Sequence, residues 1–205
     1  MRTKTLLLTA ALGAAGVASA VAQVYSVNAV GYVNTQVSTG FNLLANPLNT
    51  GGNTVAEVHP TAPAGAMLYT FSSATGFSVI SYDEGWLPAG TTVVAPGTGY
   101  FLRVSAAATV TYVGEVPQGT LSIPLVAGFN LVGSKVPQAG KITADLGYTP
   151  VDGDQVYTYN PTAGYTIYTY DAEWLPTEPV LKVSEGIWIR KAAAGAWNRT
   201  FSVNP

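Results

Sequence analysis

Short runs in which apolar and polar residues alternate are the main pattern of this chain. They are rich in Val, Ile, Thr, Tyr and Trp, and they end at Gly, Pro or Asn. A period of two residues places alternate side chains on opposite faces of a strand, so the runs predict half-buried antiparallel strands. The clearest runs cover residues 30–37, 110–113, 121–125, 165–170 and 186–190.

Helical periodicity is nearly absent. The pattern predicts only two short helical turns, at residues 54–59 and 142–146, where small or apolar side chains could face inward. The 22 Gly and 13 Pro residues interrupt the runs often enough to keep every element short. This combination predicts an all-β fold.

An internal repeat of 88 residues organises the chain. Residues 40–88 align with residues 128–176 without a gap and share 16 identities in 49 positions. After Pro88 one residue is lost, so residues 99–103 match residues 186–190 at an offset of 87. Such a long match in one register indicates a tandem duplication.

We therefore predict two tandem, duplicated units of about 88 residues, each an antiparallel β-sandwich or barrel-like unit. The predicted boundaries are 1–22 for a signal peptide, 23–116 for the first unit and 117–205 for the second. Only residues 116–119 separate the last strand of one unit from the first strand of the next. The two units are therefore expected to share an interface.

The first 22 residues are typical of a secretory signal peptide. A short basic start with Arg2 and Lys4 precedes an apolar stretch at residues 6–17. Cleavage fits after Ala20 or after Ala22, and the second is preferred; an uncleaved membrane anchor is the alternative interpretation. No later apolar run is long enough to cross a membrane, which predicts a protein that is secreted or held at the cell surface.

The composition excludes several classes of site. The chain has 9 basic and 11 acidic residues, one His and no Cys, and only 10% of its residues are charged. Disulfides, thiolate metal centres and cysteine nucleophiles are excluded, and the net charge of −2 argues against nucleic-acid binding. We expect no cofactor and no enzymatic activity.

The residues that carry acid or base groups fit turns better than catalytic sites. His59 is the only imidazole, and it precedes a proline, as a turn or cap residue does. Asp83 and Asp171 stand at equivalent turns in the two repeats, beside Glu84 and near Glu173, and a glycosidase would need two carboxylates facing one cleft. The segment 152–154 has alternate carboxylates, as calcium loops have, but it lacks the other ligand positions, so a turn is favoured.

The 22 aromatic residues raise the possibility of a glycan site. Exposed rings stack on sugars, whereas rings paired across strands only stabilise a sheet, and both interpretations fit the alternation. The residues predicted for such a site, repeated in the two units, are Trp86, Trp174, Tyr82, Tyr170, Asp83 and Asp171.

The two ends of the mature chain have similar sequences. Tyr25 and Val27 near its start correspond to Phe201 and Val203 near its end, 176 residues later. Proteins normally protect exposed edge strands with charged residues, and residues 24–41 contain none, so this strand could pair with a strand of another copy. Repeated from copy to copy, such pairing would give a fibre or sheet. Pairing of the first strand within its own sheet is the equally weighted alternative.

Two motifs are similar to those of a known group of proteins. The segments Gly-Phe-Asn-Leu at 40–43 and Pro-Gly-Thr-Gly-Tyr-Phe at 96–101 resemble tandem β-repeats of exported proteins from planctomycete-like and verrucomicrobial-like bacteria. The resemblance covers nearly all of the mature chain, implies an exported β-rich surface or extracellular protein, and carries over no catalytic residue. The second half departs from it at residues 184–186 and 134–135.

Together these features predict an exported, non-enzymatic β-repeat protein that assembles with itself into an extracellular filament, surface layer or matrix. The alternative is a secreted module that binds polysaccharide through exposed aromatic residues.

Overall fold

The structure is a computed structural model that describes residues 29–88 and 90–204. Its regular elements are almost entirely strands, with one helical turn, α1 at Val55–Val58, in the described ranges. The predicted all-β fold is confirmed. The predicted signal peptide, Tyr25 and Val27 lie outside the described residues.

Sixteen strands occur in the described residues, and they fall into two sets that follow the repeat. The first unit contains β1 (Val30–Val37), β2 (Gly40–Ala45), β3 (Met67–Ser72), β4 (Gly76–Tyr82), β5 (Trp86–Leu87), β6 (Gly99–Val104) and β7 (Ala108–Glu115). The second contains β8 (Gly119–Leu125), β9 (Gly128–Gly133), β10 (Gly140–Lys141), β11 (Gln155–Asn160), β12 (Gly164–Asp171), β13 (Glu173–Leu175), β14 (Val180–Leu181), β15 (Gly186–Lys191) and β16 (Gly195–Phe201). None of the helical structure described is long and apolar enough to cross a membrane.

The two units have the same sheet topology. A five-stranded antiparallel sheet has the order β2-β6-β3-β4-β5 in the first unit and β9-β15-β11-β12-β13 in the second. A two-stranded ribbon accompanies each sheet, β1 with β7 and β8 with β16. Strands at corresponding positions of the repeat therefore occupy corresponding positions in the fold, and the small β10–β14 pair is matched in the first unit by a single bridge between Thr54 and Val93.

The repeated Gly-Phe-Asn-Leu motif makes the turn between ribbon and sheet. Gly40 has φ of 94°, in the left-handed region that favours glycine. The Asn42 amide accepts a hydrogen bond from the backbone N–H of Ser38 at 2.9 Å and donates one to its carbonyl at 2.7 Å. Gly128 and Asn130 repeat this arrangement in the second unit. The motif recurs because each unit needs the same turn, braced by a buried asparagine.

One of the two predicted helical turns forms. Thr54 caps α1 in a capping box with Glu57. The Thr54 hydroxyl accepts a hydrogen bond from the backbone N–H of Glu57, and the Glu57 carboxylate accepts one from the backbone N–H of Thr54. The segment 142–146 forms turns with two separate i→i+4 hydrogen bonds, Asp145 to Lys141 and Gly147 to Thr143, and no continuous helix. There the side chain of Glu178, from a distant loop, binds the backbone N–H groups of Thr143 and Ala144.

Each unit has its own hydrophobic core between its sheet and its ribbon. In the first unit the largest fully buried side chains are those of Tyr100, Tyr112, Leu48, Leu68 and Leu102, and in the second those of Tyr148, Ile142, Leu146, Ile187 and Ile189. The sheets thus contribute one face to these cores. Their other faces meet between the units, where Leu43, Phe101, Leu131 and Trp188 form a third buried cluster.

The contacts between the units are reciprocal. The backbone N–H of Ala45 donates to the carbonyl of Ser184 at 2.8 Å, and the N–H of Gly133 donates to the carbonyl of Gly97 at 3.0 Å. Ala45 corresponds to Gly133 in the repeat, and Gly97 corresponds to Ser184. The same pair of positions is thus in contact twice, with the two units exchanged. Such reciprocal contacts are those of a two-fold interface, so the units are related by an approximate two-fold axis.

Two glycines allow the units to approach this closely. A Cβ atom on Gly186 would lie 2.4 Å from the carbonyl oxygen of Leu44, and one on Gly99 would lie 2.7 Å from the backbone nitrogen of Val132. Neither glycine has a positive φ. They are required by the space between the two backbones and not by a turn.

Candidate functional site

Each five-stranded sheet is apolar on both faces. On β3 the side chain of Leu68 enters the core, whereas Tyr69 and Phe71 lie on the opposite face. We call the rings on these outward faces the aromatic face; its members are Phe41, Tyr69, Phe71, Phe77 and Phe101 of the first unit and Phe129, Tyr157, Tyr159, Tyr165 and Trp188 of the second. Its centre is buried between the units and its outer parts are exposed.

Two apolar pockets open on the aromatic face, with volumes of about 420 and 390 Å³. The first pocket is lined by Phe41, Tyr69, Phe77, Val79, Phe101, Tyr159 and Tyr165, and the second pocket by Phe71, Phe129, Tyr157, Tyr165, Ile167 and Trp188. Nearly every residue of the first pocket has its repeat counterpart in the second. The two-fold relation between the units therefore produces two related pockets.

Each pocket is completed by a ring from the other unit. The ring of Phe71 lies edge-on to Trp188 with centroids 4.7 Å apart, and Tyr159 lies edge-on to Phe101 at 5.6 Å. Edge-to-face contacts at these distances are favourable for aromatic pairs. Because each pocket needs both units, the aromatic face is a property of the duplicated chain.

The outer wall of each pocket is a strand with an open edge. Strand β5 pairs with β4 only at Ser81 and Tyr82. In the same way, β13 pairs only with the last three residues of β12. Among the described residues, the outer edges of 76–80 and 164–168 have no ladder partner. Neither segment contains a charged residue or a proline.

Trp86 and Trp174 are core residues, so the expectation that their rings are exposed for stacking on a sugar is wrong. They are only 7% and 8% exposed. The Trp86 indole donates to the carbonyl of His59 at 2.7 Å, and the Trp174 indole to the hydroxyl of Thr143 at 2.9 Å. Tyr82 packs beside Trp86 with centroids 5.3 Å apart, and Tyr170 beside Trp174 at the same distance.

The predicted acidic residues lie at turns. Asp83 and Asp171 are exposed in equivalent places, at the ends of β4 and β12. The carboxylate of Asp152 accepts a hydrogen bond from the backbone of Ala172 at 2.9 Å, which fits the turn interpretation of residues 152–154. Within residues 29–88 and 90–204, no three His, Cys, Asp or Glu side chains are grouped to hold a metal ion.

His59 ends α1 as its C-terminal cap and is buried in the first core. Its Nε2 is 2.6 Å from the hydroxyl of Tyr100, which lies 2.8 Å from the hydroxyl of Tyr112. Burial lowers the pKa of His59 to about 4, so the ring is neutral at ordinary pH. In the part of the chain that the structure describes, the partner of the imidazole is the Tyr100 hydroxyl, whereas a carboxylate orients the ring of a catalytic triad.

The second core contains a different buried polar group, which sequence reasoning missed. The ammonium of Lys191 contacts the carboxylate of Asp154, and the hydroxyl of Tyr148 donates to the same oxygen at 2.8 Å. Burial alone would raise the pKa of Asp154, but its hydrogen bonds, first that of Lys191, hold the pKa below its ordinary value. The repeat counterparts of Asp154 and Lys191 are Ala66 and Val104. This change from apolar to charged residues between the two repeats was the signal in the sequence that could have indicated the buried ion pair.

The predicted assembly residues at the end of the chain are held by their own unit. Phe201 is the last residue of β16, pairs with Gly119 of β8 and lies 5.1 Å from the guanidinium of Arg199. The backbone N–H of Val203 donates to the side chain of Gln118 at 3.1 Å. Both residues therefore contact strands or loops of the second unit.

No protein-family model, curated protein or solved structure matches the chain.

Proposed function

We propose that this is an exported structural protein whose copies assemble through the aromatic face into an extracellular filament, surface layer or matrix. The observation that carries the proposal is the position of two apolar pockets beside two uncharged open strand edges. The role that we propose is mechanical and not enzymatic.

The exposed rings support the proposal. Phe77 is 53% and Tyr165 is 49% exposed, and Val79 and Ile167 beside them are exposed to a similar extent. Single exposed apolar side chains are ordinary, but a contiguous patch marks a surface that is covered in use. The patch is also continuous with the buried contact between the units, so a second copy would extend an interface that the chain already forms.

The open edges support pairing between copies. A strand edge without charge or proline is a template for another strand, and natural proteins normally protect such edges. Here one edge lies on β4 and the related edge lies on β12. Pairing β4 of one copy with β12 of the next would continue from copy to copy, because a head-to-tail contact leaves a free edge at each end.

The polar groups of the pockets favour a protein partner over a polysaccharide. Among the residues that line the first pocket, only the hydroxyls of Tyr69, Tyr159 and Tyr165 can bind a sugar, and that of Tyr69 already donates to the sulfur of Met67 at 3.3 Å. Sugar sites need convergent hydrogen-bonding groups beside the stacking ring. Polysaccharide binding is therefore the competing outcome of the test.

The test is the size of the exported protein over a range of concentrations, measured by light scattering and electron microscopy. We expect large particles or fibres, and their loss in the double variant Phe77→Ser/Tyr165→Ser. The matched control is Val180→Ser, which removes a side chain of similar exposure outside the pockets and should assemble normally.

Three outcomes would contradict the proposal. A wild-type protein that stays monomeric at high concentration excludes assembly. Assembly that survives Phe77→Ser/Tyr165→Ser but is lost in Phe201→Ser would place the contact at the terminal strand. A monomer retained on a polysaccharide column, and released by Phe77→Ser, would make the pockets a glycan site.

A further inference from the structure

The buried contact between Lys191 and Asp154 joins neighbouring strands. Gln155 at the start of β11 pairs with Arg190 in β15, so Asp154 and Lys191 are at the next cross-strand position. Their side chains are 0% and 6% exposed, and the ammonium nitrogen touches a carboxylate oxygen. No other salt bridge occurs among the residues that the structure describes.

The fold itself does not need this ion pair. The first unit has Ala66 and Val104 at the same two positions, both buried, and builds the same sheet. Removing two charges from water costs several kcal/mol, and apolar replacements of a buried pair are often neutral or stabilising. A charged pair at this position therefore calls for a role other than holding the sheet together.

The surroundings hold the carboxyl group in one orientation. Its Oδ2 accepts from the Tyr148 hydroxyl at 2.8 Å and from the backbone N–H of Val151 at 3.0 Å, and its Oδ1 faces the N–H of Ala192 at 3.3 Å. Burial raises the pKa of Tyr148, so its hydroxyl stays protonated and remains a donor. Donors aimed at a carboxyl group polarise it towards attack by a nucleophile.

We propose that Lys191 and Asp154 form an intramolecular amide bond, a covalent cross-link between β11 and β15. This inference is independent of the proposed assembly, because it concerns the interior of one unit. It gives a protein without Cys a covalent brace of the kind that exported proteins usually obtain from disulfides.

The reaction is a condensation that needs no oxidant, reductant or co-reactant. The ammonium first passes one proton to the carboxylate that it touches, which leaves a neutral amine beside a carboxylic acid. The amine nitrogen then attacks Cγ, the Cγ–Oδ2 bond breaks, and Oδ2 leaves as water with that proton and a second one from the nitrogen. Oδ1 becomes the amide oxygen and keeps its contact with Ala192.

Burial favours this reaction in two ways. A nucleophile held against its target behaves as if its concentration were on the order of 10⁵ M or higher. Burial also excludes bulk water, which is the reagent of the reverse reaction. Tyr148 positions Oδ2 and donates to it as it leaves, so its hydroxyl should affect the rate and not the product.

The test is the mass of the folded, exported protein, followed by peptide mapping. We expect a mass lower by one water, about 18 Da, than the mass calculated from the experimentally determined N-terminus. Tandem mass spectrometry should find the peptide containing Asp154 joined to the peptide containing Lys191.

Three variants locate the bond. Lys182→Met, which removes an exposed lysine, should keep the full deficit. The double variant Asp154→Ala/Lys191→Val copies the pair of the first unit, so it should fold and show no deficit. Tyr148→Phe should form the bond about tenfold or more slowly, which a time course after refolding measures.

A wild-type protein with the full calculated mass would overturn the proposal. So would a deficit located at Asp152-Gly153, where a cyclic imide loses the same mass, and treatment with hydroxylamine distinguishes the two because it opens the imide and leaves the amide. A deficit that persists in Asp154→Ala/Lys191→Val would also overturn it.

Discussion

The two units share a frame and differ in what they bury. Both use the same strand order and the same asparagine-braced turn. The first unit buries His59 with two tyrosines, whereas the second buries Tyr148 with Asp154 and Lys191. The shared fold is thus determined by turns, strand pairing and the close approach of the two backbones. The buried polar side chains can therefore differ between the two units without changing that fold. Variants at shared positions should affect both units alike, and variants at divergent positions should not.

The largest effect is expected where the units meet. Gly186→Ala would place a methyl group against the carbonyl of Leu44, and backbone cannot move aside as a side chain can. We expect the free energy of unfolding to fall by about 3 kcal/mol, with a somewhat smaller loss for Gly99→Ala. Chemical denaturation monitored by tryptophan fluorescence measures both.

Gly85→Ala is the matched control for these variants. Gly85 has no positive φ, and no atom of another residue lies within 4 Å of the place that an added methyl group would take, so the substitution should leave stability unchanged. Equal stability of Gly186→Ala and Gly85→Ala would contradict the close contact between the units.

The next effect is confined to the first unit and depends on pH. The pKa of His59 is about 4 in the folded state and about 6.5 when unfolded, so between these values the unfolded chain binds the proton more readily. Stability should therefore fall as the pH drops from 6.5 to 4, by about 3 kcal/mol in total. The difference in unfolding free energy between wild type and His59→Gln, measured from pH 7 to pH 4, isolates this contribution. A difference that does not change with pH would show that the ring is not buried as described.

A smaller effect should be equal in the two units. Asn42→Ala and Asn130→Ala each remove a buried amide that braces the turn before the sheet, and each leaves backbone groups without a partner. We expect each to cost about 2 kcal/mol. Urea denaturation of the two variants provides the comparison, and losses that differ by more than about 1 kcal/mol would show that the two turns are not equivalent.

The smallest effect separates the units again. Thr54→Ala removes the cap of α1, which has no helical counterpart in the second unit, and should cost about 1 kcal/mol. Thr162→Ala, at an exposed turn of the second unit, should cost nothing measurable. A thermal melt of both variants is sufficient, and equal melting temperatures would contradict the capping role.

The duplication and the strands could be predicted because they depend on local signals. Alternation over residues 30–37 predicted β1 with the bounds that it has, and the repeat predicted the shared topology. The absence of a continuous helix at 142–146 could not be predicted, because two backbone N–H groups there bind the side chain of Glu178, more than thirty residues later in the chain.

The site was harder to predict because both faces of each sheet are apolar. On β4, Phe77 and Val79 share one face and Ile80 and Tyr82 lie on the other, and alternation alone does not tell which face becomes the core. Tyr82 pairs with Trp86 across β4 and β5, which places the tryptophan on the core side. The large ring of Trp86 suggested a surface on which a ligand could stack. The exposed rings are instead the smaller ones of Phe77 and Tyr165, on the opposite face of the sheets.

The reciprocal contacts between the units have an evolutionary consequence. An interface in which each half presents the same surface to the other is the interface of a homodimer, so the chain has the form of two ancestral subunits fused end to end. Fusion keeps the partner at a high effective concentration without any new contact. Once the partner could no longer be lost, each half was released from being identical to the other. In the fused chain a histidine pairs with tyrosines in one half while a lysine meets an aspartate in the other.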